Sequence, residues 1–140
     1  MRLKPEGGVT DISLHNAKEL ITERGLPDII QLVNESEDAS GHVVIASWGT
    51  VPEKDPFEHR FDGFSWGYGG QGPTGLSTLF KMIGLDHRVP INIIGKLPQD
   101  QHGLILSLAR TGWIVEFVSD EAAKSADHRA LKYIEGPSNL

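Results

Sequence analysis

The stretch Phe64–Phe80, FSWGYGGQGPTGLSTLF, holds five of the sixteen glycines of this 140-residue chain, and an amphipathic run begins directly after them. Pro73 suits the first turn of a helix, because proline has no N–H to lose there. Apolar residues then recur at i, i+3, i+4 and i+7, which predicts a helix to about Ile83 that Gly84 closes. The apolar face of that helix consists of Leu76, Leu79, Phe80 and Ile83.

On the N-terminal side of this stretch, the sequence predicts two helices and then two strands. Residues 13–24 have helical spacing, and a second short helix restarts in residues 26–36. Residues 42–48, HVVIASW, are rich in β-branched side chains and predict a strand. Residues 60–66, RFDGFSW, predict another strand that Gly63 interrupts, as in a β-bulge.

On the C-terminal side, strands and helices are predicted to alternate. A strand is expected near 91–94, a helix over 98–111 that ends at Gly112, and a strand over 113–119. A final helix is expected from Asp120 to about residue 135, since Asp is a good N-cap.

These elements predict a single compact domain, α/β or α+β, with about four strands and helices packed on the sheet. The central β-α-β-α-β run is compatible with parallel strands joined by right-handed crossovers. Residues 1–12 and 136–140 are expected to be loosely ordered, as chain ends often are.

Composition narrows the class of protein. No stretch approaches the roughly 18 apolar residues of a membrane span, and the N-terminus lacks the apolar segment of a secretion signal, so a cytoplasmic protein is expected. The absence of cysteine excludes disulfides, thiolate zinc sites and a cysteine nucleophile. The formal net charge of −6 disfavours binding to nucleic acids or anionic membranes, which calls for a basic surface.

The glycines at 67, 69 and 72 satisfy the G-x-G-x-x-G pattern of dinucleotide-binding loops between a predicted strand and a predicted helix. Asp86 lies about twenty positions further on, but it precedes the next predicted strand, whereas a ribose-binding acid should end that strand. The preceding strand is also polar, and no Gly-Lys-Ser/Thr follows as in a P-loop. Both of the best-known phosphate loops are therefore disfavoured.

A more general anion site is still predicted at this loop. Backbone N–H groups converge at a helix start, where the helix dipole favours an anion, and Trp66 and Tyr68 could stack on a base or a ribose. The alternative is a tight turn whose glycines let the backbone pack closely. The predicted ligand-binding residues are Trp66, Tyr68, Gly69, Gly70, Gln71, Gly72, Thr74, Arg88 and Arg110.

The same stretch resembles a small domain family of unknown function in bacteria and their phages. That family is marked by Phe-x-Trp-Gly-Tyr-Gly-Gly-x-Gly-Pro followed by a leucine-rich helix, and the resemblance covers roughly residues 42–84. It implies no activity. A looser analogy, of size and plausible ligand only, connects the chain with the Thoeris anti-defence proteins, which sequester cyclic ADP-ribose-type signals in pockets between subunits.

The leading hypothesis is a non-enzymatic phage or mobile-element protein that binds a nucleotide-like small molecule, needs no cofactor and could form a homo-oligomer. One alternative is a protein–protein inhibitor that docks on a host defence enzyme. Another is a small enzyme that uses His59 or His87, which stand beside carboxylates and arginines. The histidines show none of the common metal-binding spacings, so no metal site is predicted.

Overall fold

The computed structural model describes residues 2–36, 39–49, 56–117 and 132–133. The helices in these ranges are α1 (Thr10–Arg24), α2 (Gln71–Met82) and the single-turn α3 (Ile91–Ile94), with a 3₁₀ turn at Ala39–Gly41. The strands are β1 (Ile29–Asn34), β2 (His42–Trp48), β3 (Phe57–Phe61), β4 (Leu104–Ala109), β5 (Gly112–Phe117) and the two-residue β6 (Lys132–Tyr133).

The strands form one antiparallel sheet in the order β3-β2-β1-β4-β5-β6. The strands β1, β2 and β3 follow one another as a meander, as do β4, β5 and β6, and the two meanders join where β1 pairs with β4. In the register, Ile30 lies opposite Ala46 on one side and Leu106 on the other. The fold is therefore α+β, as predicted, with five main strands in the described chain rather than about four.

One face of the sheet packs on α1 and α2. In β1 the buried residues alternate with half-buried ones, which is the period of a strand with one covered face. The buried strand residues form one apolar cluster with the helices. Its largest fully buried members include Leu20, Ile30, Leu32, Phe61, Phe64, Trp66, Leu76, Phe80, Leu104 and Leu106.

The second predicted helix, over residues 26–36, is wrong: this segment forms β1. Its apolar residues do fit helical spacing, but burial follows a period of two, with Ile30 and Leu32 facing the core. A short apolar run fits both periods, and strand neighbours on both sides decide between them. The predicted helix over 98–111 is wrong for the same reason, because Leu104 and Leu106 alternate inward in β4.

The predicted strand near 91–94 is also wrong, since these residues form α3. The N–H groups of Ile93 and Ile94 both bond to the carbonyl of Pro90, which closes a single helical turn. With neither this strand nor the helix over 98–111, the β-α-β-α-β run does not exist, and the interpretation as parallel crossovers is wrong.

The predicted bounds of other helices and strands agree more closely with the structure. The predictions of α2 and of the strand over 42–48 are confirmed. The strand predicted over 60–66 begins earlier, at Phe57, and ends at Phe61, after which the chain leaves the sheet. The strand predicted over 113–119 is β5, of which residues 118–119 lie outside the described part.

The final predicted helix and residues 136–140 lie outside the described residues, apart from Lys132 and Tyr133. These two pair with β5 as the edge strand β6 rather than forming part of a helix.

Candidate functional site

Trp66 lies in the core beneath the glycine-rich loop. Its side chain is fully buried, and its ring stacks on that of His42 with 3.7 Å between centroids and 6° between planes. Its Nε1 donates to the carbonyl of Pro98 at 3.2 Å. The expectation that Trp66 stacks on a ligand is therefore corrected, because its ring is enclosed by the protein.

Two of the glycines allow the backbone to pack closely. Gly67 has φ +87°, and a β-carbon there would lie 2.8 Å from the Leu97 carbonyl oxygen. A β-carbon on Gly72 would lie 2.8 Å from the Cβ of Ser65. At both positions, the structure agrees with the alternative that the glycines let the backbone pack closely in a tight turn.

A cleft of about 350 Å³ opens on the other side of the loop. It lies between the first turn of α2, the chain after β3 and the residues that lead into α1. Most of its surface is polar. The lining side chains used below are Thr10, His42, Asp62, Ser65, Tyr68 and Gln71.

The first turn of α2 contributes Gln71 and Gly72 to the lining of this cleft. The N–H groups of Gln71 and Gly72 precede the first intrahelical bond, and within the described chain neither donates to a protein acceptor. The carbonyl of Gly70 accepts from both the N–H and the hydroxyl of Thr74. Thr74 thus closes the first turn of the helix. A β-carbon on Gly69 would meet no atom within 4 Å.

The two predicted arginines do not join the site. Arg88 follows α2 and donates to the carbonyl of Trp113 at 2.7 Å, which ties it to β5. Arg110 is exposed in the turn between β4 and β5. No Lys or Arg is among the described residues that line the cleft, whereas Asp62 is.

The structure places together two residues that sequence reasoning did not connect. Ser65 Oγ lies 2.5 Å from Nδ1 of His42, and His42 Nε2 lies 2.6 Å from the carbonyl oxygen of Gln99. His42 begins β2, and Ser65 follows β3, the strand that pairs with β2. Ser65 lies in no known motif of a serine nucleophile, so the sequence did not mark it. The only hint of this pair was His42, which lies on the inward face of a predicted strand.

The buried carboxylate of Glu6 is hydrogen-bonded to Asp62, which lines the cleft. Glu6 accepts hydrogen bonds from the side chains of Ser13 (2.5 Å), Asn16 (2.9 Å) and His59 (2.7 Å), and from the N–H of Asp62 (3.0 Å). Burial alone raises the pKa of Glu6, but these bonds outweigh it and lower the pKa from 4.5 to about 2.

The hydrogen bonds of Glu6 also bear on the hypothesis of an enzyme that uses His59 or His87. His59 is engaged by Glu6, and His87 is exposed in the turn after α2. Neither is among the described residues of the cleft.

The residues before α1 are also held by hydrogen bonds. The N–H of Lys4 donates to the side chain of Asn16, and that side chain donates to the carbonyl of Lys4.

Comparison with protein-family models, with curated proteins and with solved structures gives no match. The resemblance over residues 42–84 therefore stays a prediction. In the described part of the chain, no helix has the length and apolar character to span a membrane. The same residues contain no cluster of three or more His, Cys, Asp or Glu side chains arranged to hold a metal ion.

Proposed function

We propose that the protein binds a nucleotide-like small molecule in the cleft at the start of α2. One observation carries this proposal: Gln71 and Gly72, whose N–H groups have no protein acceptor within the described chain, line a cleft that Tyr68 and Asp62 also line. The first turn of a helix favours a phosphate or another anion. An aromatic ring and a carboxylate suit the base and the sugar of the same ligand.

Each group has a distinct role in this proposal. Tyr68 is 39% exposed, and in this proposal its ring stacks on the base. Asp62 accepts the N–H of Gly8 through Oδ1, and within the described chain its Oδ2 accepts no hydrogen bond. That oxygen can accept from ribose hydroxyls. Because no Lys or Arg is among the described lining residues, the site favours a ligand with one exposed anionic group over a polyphosphate.

The preference for one anionic group and the analogy to Thoeris anti-defence proteins guide the choice of ligands. Nucleosides and their monophosphates are the first compounds to screen, and cyclic ADP-ribose-type signals, which carry two phosphates, follow as the less favoured class. Binding is all that this proposal involves. Docking on a host defence enzyme, a cytoplasmic location and a homo-oligomer stay predictions.

Tyr68→Ala is expected to weaken the binding of such a ligand about 5- to 150-fold, because base–aromatic stacking contributes about 1–3 kcal/mol. Calorimetric titration of the full chain with the compounds above measures this. Met82→Ala is the matched control, since Met82 is 38% exposed and lies at the opposite end of α2. Its dissociation constant should equal that of the unmodified protein.

Two outcomes would overturn the proposed function. One is the lack of measurable binding to all of these compounds at millimolar concentration. The other is binding that Tyr68→Ala and Met82→Ala weaken equally.

A further inference from the structure

We propose that Ser65 and His42 form a nucleophile–base pair, and that the cleft hydrolyses a small polar ester through an acyl intermediate on Ser65. Ser65 Oγ lies 2.5 Å from His42 Nδ1, within the reach that proton transfer needs. Both residues line the cleft, and Ser65 is 7% and His42 4% exposed.

The hydrogen bonds of His42 assign its tautomer. The carbonyl of Gln99 can only accept, so Nε2, at 2.6 Å from it, carries the proton. In the neutral ring Nδ1 is then the acceptor, and the N–H of Trp66 also points to it at 3.4 Å. The basic nitrogen therefore faces the Ser65 hydroxyl. The Gln99 carbonyl and the stacked Trp66 ring hold the imidazole in this orientation, as the third group of a triad does.

Ser65 is also close to donors for a developing negative charge. The first turn of α2 packs directly on it, because a β-carbon on Gly72 would lie 2.8 Å from the Ser65 Cβ and 3.3 Å from its backbone nitrogen. Gln71 and Gly72, whose N–H groups have no protein acceptor within the described chain, line the same cleft. Backbone donors of this kind stabilise the oxyanion of acyl-transfer reactions. The nucleophile, its base and the donors thus share one site.

The reaction proceeds in two balanced steps. First, Ser65 Oγ adds to the ester carbonyl carbon while its proton passes to His42 Nδ1; the bond to the alcohol then breaks, and the alcohol leaves with that proton. In the second step, water gives a proton to His42 and adds to the acyl group. The carboxylic acid departs, and the proton returns to Ser65. No oxidant, reductant or metal takes part.

The lining indicates the class of substrate. The hydroxyl of Tyr68, the amide of Gln71 and the carboxylate of Asp62 suit an uncharged ester with a hydroxylated alcohol part, such as an O-acyl sugar. The Thr10 hydroxyl donates instead to the carbonyl of Gly63. This inference goes beyond the proposed function, because it needs only a cleft that admits such an ester. Nucleotide binding and ester cleavage can therefore fail separately.

The test is to treat the full chain with diisopropyl fluorophosphate, which phosphorylates an activated serine and releases fluoride, and to locate the adduct by peptide mass spectrometry. One adduct per chain, on Ser65, is expected. Ser65→Ala should abolish it, and Ser77→Ala, a change on α2 outside the described cleft lining, should keep it. Hydrolysis of p-nitrophenyl acetate should fall about 100-fold or more in Ser65→Ala.

An unmodified protein that stays folded and gains no adduct at Ser65 would overturn the proposal. Such a result, with a lower stability of Ser65→Ala, would show that the hydrogen bond to His42 is only structural. Peptide mapping of the unmodified chain decides the question even if Ser65→Ala does not fold. Nucleotide titrations are run separately, so their failure leaves this test intact.

Discussion

Gly67→Ala is expected to lower the free energy of unfolding by about 3 kcal/mol or more. Two costs add. A side chain in the left-handed region, at φ +87°, costs about 1–2 kcal/mol. The new β-carbon would also lie 2.7 Å from the Gln99 Cβ and 2.8 Å from both the Gln99 Cα and the Leu97 carbonyl oxygen, so backbone must move. The N–H of Gly67 bonds to Ile94, which resists that movement.

Gly69→Ala is the matched control in the same loop. Its β-carbon would meet no atom within 4 Å, and its φ is not positive. A change of about 0.5 kcal/mol or less is expected, as for exposed sites in general. Urea unfolding of both variants measures the difference. Equal destabilisation by the two changes would contradict the packing of Gly67 on residues 97–99.

Glu6→Gln is expected to destabilise the protein by about 3 kcal/mol at pH 7. A pKa lowered from 4.5 to about 2 corresponds to a stabilisation of that order. An amide is nearly isosteric, but its NH₂ would replace one of the two acceptor oxygens. At least one donor among Ser13, Asn16, His59 and the Asp62 N–H then loses its partner in a buried position.

The same carboxylate makes stability depend on pH. Because the pKa of Glu6 is lower in the folded chain, its contribution is complete above about pH 4.5 and is lost as the pH falls towards 2. Unfolding curves between pH 2 and pH 7 should show a steeper loss in the unmodified protein than in Glu6→Gln. The exposed Glu23, replaced by Gln, is the control and should leave the pH profile unchanged. Parallel profiles for all three proteins would contradict the role of Glu6.

The sequence predicted those elements whose local signals agree with one another. In α2, a proline in the first turn, a long helical period and a closing glycine all indicate the same helix, and the structure contains it. The β-branched run of β2 has no competing period. The short runs around Ile30 and Leu106 fit both helix and strand, and pairing with residues far along the chain decides between these two. Single-sequence periodicity cannot include that pairing.

The candidate site divides in the same way. Its position at the start of α2 could be predicted, because a glycine loop before a helix is a local pattern. The pair of Ser65 and His42 could not, since 23 residues separate them and the sheet brings them together. The burial of the Trp66 side chain could not be predicted either. An aromatic ring beside glycines is equally typical of a binding site and of a core, and only the stacked His42 and the overlying Pro98 decide.

The segment Leu97–Gln99 has no regular secondary structure, yet it holds several parts of the molecule in place. Its carbonyls accept from Trp66, from His42 and from Asn34, and Gly67 packs against it. Loops usually accumulate insertions over evolutionary time, but an added residue here would move every one of these acceptors. Among homologous chains, length variation is therefore expected at the exposed turn between β4 and β5, while the length of residues 97–99 stays constant.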